Sequence, residues 1–236
     1  MPSLPPAIDL TVHRTGRGAP LVALHDLGRE GAAMQRALRD LRREHTIVAP
    51  DLRGHGASPT PKGPWSIDDF SSDVARIIQD EGPPATVVGV GLGAAAALAL
   101  ALGHPNLVSG LILSGLGPKA EDESRQDRWT SAARAVRDRA GEGGEGIALS
   151  IEAMGSRPDW RGALAQVHSP VMVLAGGADR AVPPDDQREL SMWIDGARFT
   201  TAPRVGHDVA GEGARELVSA VRLLPMEQVP AEQLAA

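Results

Sequence analysis

Cysteine is absent from all 236 residues, and that gap closes several routes at once. No thiol nucleophile, thiolate metal site or disulfide can be built, and the expected setting is a reducing one, the cytoplasm. A basic excess is lacking too: 24 Lys and Arg stand against 30 Asp and Glu, interspersed, for a formal net charge of −6. Nucleic acid and anionic lipid both call for a clustered basic surface. The expected partner is therefore a small-molecule substrate, with no nucleic acid, no membrane, and neither cofactor nor metal. Behind Met-Pro-Ser-Leu-Pro-Pro there is no basic stretch followed by an apolar one, so no signal peptide is read. Nothing in the sequence fixes an oligomeric state.

Long apolar runs are scarce as well. The one that could pass for a membrane span, Val87 to Gly103, is 17 uncharged residues, four of them glycine (Gly89, Gly91, Gly93, Gly103). A span needs about 20 apolar residues. The run divides more naturally into a β-rich strand, a glycine-rich turn and an Ala/Leu helix.

What is present is an alternation of short apolar runs with helix-period segments, the pattern of parallel βαβ units. Strands are expected at Ile8–His13, Leu21–His25, Thr46–Pro50, Ala85–Val90, Leu107–Ser114, Val171–Ala175 and Ala197–Ala202. Most are continuously apolar, as strands covered on both faces are. Between Ser66 and Glu81, Ile67, Phe70, Val74, Ile77 and Ile78 recur at helical spacing behind an approximate capping box of Ser66 and Asp69. A closing helix is read from Ala214, Leu217, Val218, Val221 and Leu224, before Pro225. The expected class is α/β, a mostly parallel sheet flanked by helices. Residues 1–116 and 170–224 form the core and 225–236 a tail. The charged segment 117–169 reads as a small helical cap, because Trp129, Ile147, Leu149, Ile151, Met154 and Trp160 are too apolar for a linker.

Open α/β sheets place ligands beyond the C-terminal ends of their strands. Five loops there are informative: His25-Asp26-Leu27-Gly28, Asp51-Leu52-Arg53-Gly54-His55-Gly56, Gly89-Val90-Gly91-Leu92-Gly93, Gly176-Gly177-Ala178-Asp179 and Val205-Gly206-His207. In this order they resemble the α/β-hydrolase family, in particular its small-cap esterases and enol-lactonases, over roughly Leu21 to Leu224 apart from the cap.

The resemblance implies a nucleophile at the centre of G-x-S-x-G on a sharp strand-to-helix turn, followed in chain order by an acid and a histidine. Gly91 stands at that centre, so covalent serine catalysis is excluded there. Asp179 would hold one ring nitrogen of His207 and leave the other facing the pocket as a base. The backbone amides of Leu27 and Leu92 would form the oxyanion hole. A departure is Asp26, where the family usually has glycine: a carboxylate there opposes a developing oxyanion.

Other residues carry weaker expectations. His25, Asp26, Trp129 and Trp160 are possible pocket residues. His55 is expected to organise the loop that buries Asp51, and Ser58 and Ser114 to be ordinary loop and strand-end polarity. Arg125, Arg128, Arg134, Arg137 and Arg139 read as a solvated helix face, with binding of a substrate carboxylate as the sharper alternative.

Three readings of function stay open. One is an enzyme for a small ester, lactone or carbonyl compound that works through Asp179 and His207 without a covalent serine. The second is a conventional serine hydrolase in which residue 91 has been changed from serine to glycine. The third is a non-catalytic binding or scaffold protein, resembling the N-myc downstream-regulated family, whose elbow also lacks serine.

Overall fold

A computed structural model describes residues 5–224, and the expected tail 225–236 lies outside them. The sheet has seven strands: β1 (Val12–Gly16), β2 (Ala19–Leu24), β3 (His45–Pro50), β4 (Ala85–Val90), β5 (Val108–Ser114), β6 (Val171–Gly176) and β7 (Arg198–Ala202), in the order β1-β3-β2-β4-β5-β6-β7. Every pairing is parallel except β1 with β3, where Val12 lies opposite Pro50 and Gly16 opposite Thr46. β4 is buried at all six residues, because helices cover both of its faces. Its continuous Val-rich run is what a strand without a solvent face requires.

The first strand departs from expectation. It runs from Val12 to Gly16 rather than from Ile8 to His13. Upstream of it, backbone donors are taken by side chains: Ile8 N–H donates to Asp73 Oδ1 at 2.8 Å and Thr11 N–H to Ser58 Oγ at 2.9 Å. A segment satisfied in this way has no need of a ladder.

Helices α1 (Gly31–Ala37), α2 (Ile67–Glu81), α3 (Leu92–Gly103), α4 (Glu123–Ala140), α5 (Glu145–Gly155), α6 (Pro184–Met192), α7 (Val209–Glu212) and α8 (Ala214–Leu223) complete the order. One core lies between the sheet and α2 with α3, gathering Phe70, Val74, Ile78, Leu98 and Leu100 against Val22 and Val87. The other packs Met34 and Leu38 with Leu217 and Val221 against Leu21, Val88 and Ile112. At the start of α2 the expected box forms, with Ser66 N–H donating to Asp69 Oδ2 at 2.8 Å. Arg53 anchors this end from within, at 2.8 and 2.9 Å from the Asp73 carboxylate and 2.9 Å from Asp69.

Helices α4 and α5 leave the sheet between β5 and β6 and share a small cluster of their own, Ala133, Ala148 and Ile151. Arg137 ties them together, donating to the Glu145 and Glu152 carboxylates. No helix among the described residues is long and apolar enough to cross a membrane.

Candidate functional site

The site begins at the turn from β4 into α3. Gly91 has φ 53° and ψ −112°, a conformation that L side chains adopt only under strain. Its neighbours are glycines because the helix rests on the sheet: a Cβ at Gly93 would come within 2.4 Å of the Leu24 carbonyl, and one at Gly89 within 2.4 Å of the Gly93 carbonyl. The turn is pinned by Gly91 N–H donating to the Ser114 carbonyl at 2.9 Å. Leu92 N–H, at the first turn of α3, lies outside the helical ladder and donates to a side chain instead.

The loop after β6 brings Asp179, buried at 5% exposure. The amides of Ala181 and Val182 donate to its Oδ1 at 2.9 and 3.0 Å. On Oδ2 it receives Gln187 Nε2 at 3.1 Å and His207 Nδ1, from the loop after β7, at 2.8 Å. Burial works against the charged carboxylate, but the His207 contact and the two amides outweigh it and hold the group below the usual carboxylate range.

The other ring nitrogen of His207 is not free. Its Nε2 lies 3.2 Å from Asp26 Oδ2, so the histidine is gripped by two carboxylates. Hydrogen bonds to Asp179 and then Asp26 raise its pKa from 6.5 to about 10 against the opposing effect of burial. The two carboxylates favour the charged ring, which is hydrogen-bonded to Asp179 through Nδ1 and in ion-pair contact with Asp26 through Nε2. This corrects the expectation of a free basic nitrogen facing the pocket.

Asp26 reaches the site from the loop after β2. Its Oδ1 accepts the Leu92 N–H at 2.9 Å, which is the amide expected to serve a substrate oxyanion. Burial raises its pKa, but the hydrogen bond and charge of His207, with the Leu92 and Leu27 amides, pull it below its ordinary value. A Cβ built on Gly91 would stand 1.8 Å from Asp26 Oδ1. The carboxylate thus occupies the space that a side chain at residue 91 would need.

Beneath it, His25 holds the loop in place. Nδ1 lies 2.8 Å from the Asp26 carbonyl and Nε2 accepts Leu52 N–H at 2.9 Å. Since Nε2 accepts, the proton is on Nδ1, and burial, then the neighbouring His55, lowers the pKa from 6.5 to about 4. The ring is neutral and lies behind the cleft. Trp160 is also buried, its backbone N–H bonded to the Pro118 carbonyl at 3.0 Å. Neither therefore lines the cleft as expected, whereas Asp26, Leu27, Gly91, Trp129 and His207 do.

The remaining expectations sort by partner. Asp51 is buried and accepts the Gly31 and Ala57 amides at 2.8 and 2.9 Å. His55 bonds the Arg53 carbonyl at 3.0 Å within that turn. Ser58 donates to the Asp51 carbonyl, and Ser114 is buried at the end of β5. Of the five arginines, Arg125 and Arg128 face the cleft, and Arg137 is tied up with Glu145 and Glu152.

The cleft has a volume of about 810 Å³ between the sheet's C-terminal edge and α4, room for a small organic molecule. Sequence reasoning missed Arg180 on its rim and Gln187 behind it. Gln187 is buried and accepts the Gly115 N–H at 2.7 Å on Oε1 while its Nε2 holds Asp179. No motif marks either residue, since each acts through loops that meet only in the fold.

Comparison with known proteins agrees with the geometry. Over 109 residues the chain is 38% identical to Lipase LipV of Mycobacterium tuberculosis, a match covering 45% of this chain but 41% of the lipase. The chain thus spans less than half of that relative. Over 193 residues it is 25% identical to 3-oxoadipate enol-lactonase 2 of Acinetobacter baylyi, covering 67% of this chain and 71% of the lactonase. Among solved structures, a thermophilic esterase from Thermogutta terrifontis with malate bound superposes with a TM-score of 0.85 at 22% identity, over 90% of this chain and 91% of the esterase. The enol-lactonase from Burkholderia xenovorans gives 0.81 at 23%, over 90% and 95%. These two likenesses concern the fold. The sequence matches the Alpha/beta hydrolase family across residues 21–220, and with the sheet order, the turn at Gly91 and the loops that bring Asp179 to His207, the chain belongs to the α/β-hydrolase family.

Proposed function

We propose that the chain is a hydrolase for a small ester, lactone or related carbonyl compound, and that it works through Asp179 and His207 with no serine at the elbow. The observation that carries this reading is the His207 ring, held by Asp179 at 2.8 Å on Nδ1, with Nε2 3.2 Å from Asp26, in the cleft that His207, Asp26 and Gly91 all line. A histidine oriented by a buried carboxylate at the mouth of a cleft is an acid–base device. The relatives named above are a lipase and an enol-lactonase.

Gly91 has no hydroxyl, so no acyl-serine forms at this turn. The protonated His207 is set up to give a proton to a departing alkoxide rather than to take one from a nucleophile. Substrate sits in the cleft between Leu27 and Trp129, with Arg128 and Arg180 at the rim. Both arginines line the cleft, so an acidic substituent on the substrate finds a counter-charge there. Segment 117–169, with α4 and α5, acts as the cap that sets substrate shape.

The test is turnover of a panel of activated esters and lactones by the parent chain, His207→Ala and Asp179→Asn. Loss of at least about 10⁴-fold in both variants supports the reading, by comparison with the removal of such groups elsewhere. Turnover insensitive to both substitutions sinks it.

A further inference from the structure

We infer that Asp26 is the catalytic nucleophile of this site, its carboxylate standing in for the missing serine from the loop after β2 rather than from the elbow. This rests on the hydrolase reading above. Three observations meet in the one side chain. Its Oδ1 fills the volume of a side chain at residue 91, since a Cβ there would lie 1.8 Å away. That same oxygen accepts Leu92 N–H at 2.9 Å. Its Oδ2 lies 3.2 Å from His207 Nε2, and the side chain lines the cleft. Loop and turn are thereby matched: the absence of a Cβ at Gly91 is what lets the carboxylate in.

The placement of the two oxygens defines the chemistry. Oδ2, the oxygen not engaged by the Leu92 amide, attacks the substrate carbonyl carbon. The bond from that carbon to the leaving oxygen breaks, the leaving alkoxide takes the Nε2 proton of His207, and a mixed anhydride on Asp26 remains. His207, now neutral at Nε2, takes a proton from a water that adds to the Asp26 carboxyl carbon. The negative charge of that adduct develops on Oδ1, which already accepts the Leu92 amide, so the donor meets the charge without rearrangement. Cleavage of the bond between carbon and Oδ2 releases the acid product carrying Oδ2. Asp26 is left with one oxygen from water, and its remaining proton passes to solvent. The balance is ester plus water to acid plus alcohol.

The test uses phenacyl bromide, a carboxylate-directed alkylating agent, with peptide mapping by mass spectrometry. In His207→Gln, which lacks the group that activates water, Asp26 should carry a phenacyl ester, absent when Asp26→Asn is added. The parent chain gives a reading that needs no substitution: after reaction in water enriched in heavy oxygen, Asp26 carries either the ester or the heavy isotope. If Asp26 has neither, while exposed carboxylates such as Glu123 react, the inference is overturned. Turnover of 4-nitrophenyl acetate is measured alongside and separates the two readings. An activity that depends on His207 but survives Asp26→Asn overturns the inference and leaves the hydrolase reading standing. A reactive Asp26 without ester turnover supports the nucleophile and removes the ester substrate. With both in place, Asp26→Asn lowers turnover by about 10⁴–10⁶-fold.

Discussion

Placing a serine at the elbow tests the steric coupling between residues 26 and 91. In Gly91→Ser the new Cβ would fall 1.8 Å from Asp26 Oδ1, well inside van der Waals contact, so Asp26 must leave the Leu92 amide and His207. Overpacking of this kind costs about 1–3 kcal/mol. A non-glycine residue at φ 53°, ψ −112° adds about 1–3 kcal/mol of backbone strain. The single variant should therefore be less stable than the parent by about 2–6 kcal/mol in urea denaturation and poor at ester cleavage. In Gly91→Ser/Asp26→Gly the steric part vanishes and the strain remains, so about half of the lost stability returns. The double variant also frees the Leu92 amide and leaves His207 with Asp179 alone, which is the arrangement of a serine hydrolase. It should show an acyl-enzyme burst with 4-nitrophenyl acetate that disappears when His207→Ala is added. The reasoning is refuted if Gly91→Ser is as stable as the parent, or if the single and double variants are equally active.

Other outcomes follow from the same contacts. His207, with its pKa raised to about 10 by Asp179 and Asp26, contributes stability that is fully present below its unfolded value of about 6.5 and is lost as pH rises toward 10. An NMR titration of its ring should find the midpoint near 10, moving downward in Asp26→Asn. His25, lowered to about 4, has the opposite sign: stability is complete above about 6.5 and falls as acidification protonates the unfolded chain first. Replacing it with Leu strands the buried Leu52 amide, while the Asp26 carbonyl keeps the Arg29 N–H, and should lower unfolding free energy by about 1–3 kcal/mol. Arg53→Met leaves Asp73 buried without its cation, a loss of about 3–5 kcal/mol by urea denaturation.

The fold was legible where chemistry and burial coincide along the chain. Val87, Val88 and Val90 followed by an Ala-rich helix with glycines at the crossing could only be a buried strand, a tight turn and a buried helix. Ile67 to Ile78 advertised α2 by spacing alone. The first strand slipped because Leu10 is apolar for packing against the core, while the Ile8 amide is satisfied by Asp73, 65 residues away. Helices α1 and α6 left little periodic signal. α1 has seven residues, and α6 buries only Gln187, Leu190 and Ser191 beneath a charged exterior. A short helix held by loops and a few contacts does not write a pattern into sequence.

The site was legible by halves, and the dividing line is physical. Asp179 and His207 follow strands at positions where loop residues project into the cleft, so their order along the chain already implied their meeting. Asp26 also follows a strand, and its charge marked it as out of place beside the oxyanion amides. Where that charge goes depends on a vacancy, and a vacancy has no residue type. Gly91 supplies it, 65 positions further on, only because α3 starts against β2 closely enough for the Leu92 amide to reach Asp26 Oδ1. Each feature read alone looks unfavourable, a glycine at the turn and a carboxylate on the Leu92 amide. Together they conserve both volume and charge logic: the amide keeps an anionic oxygen, the histidine keeps a partner on Nε2, and the space above the turn stays filled. In the hydrolase proposed above, the carboxylates beside both ring nitrogens favour the charged form of His207, and acid catalysis precedes base catalysis.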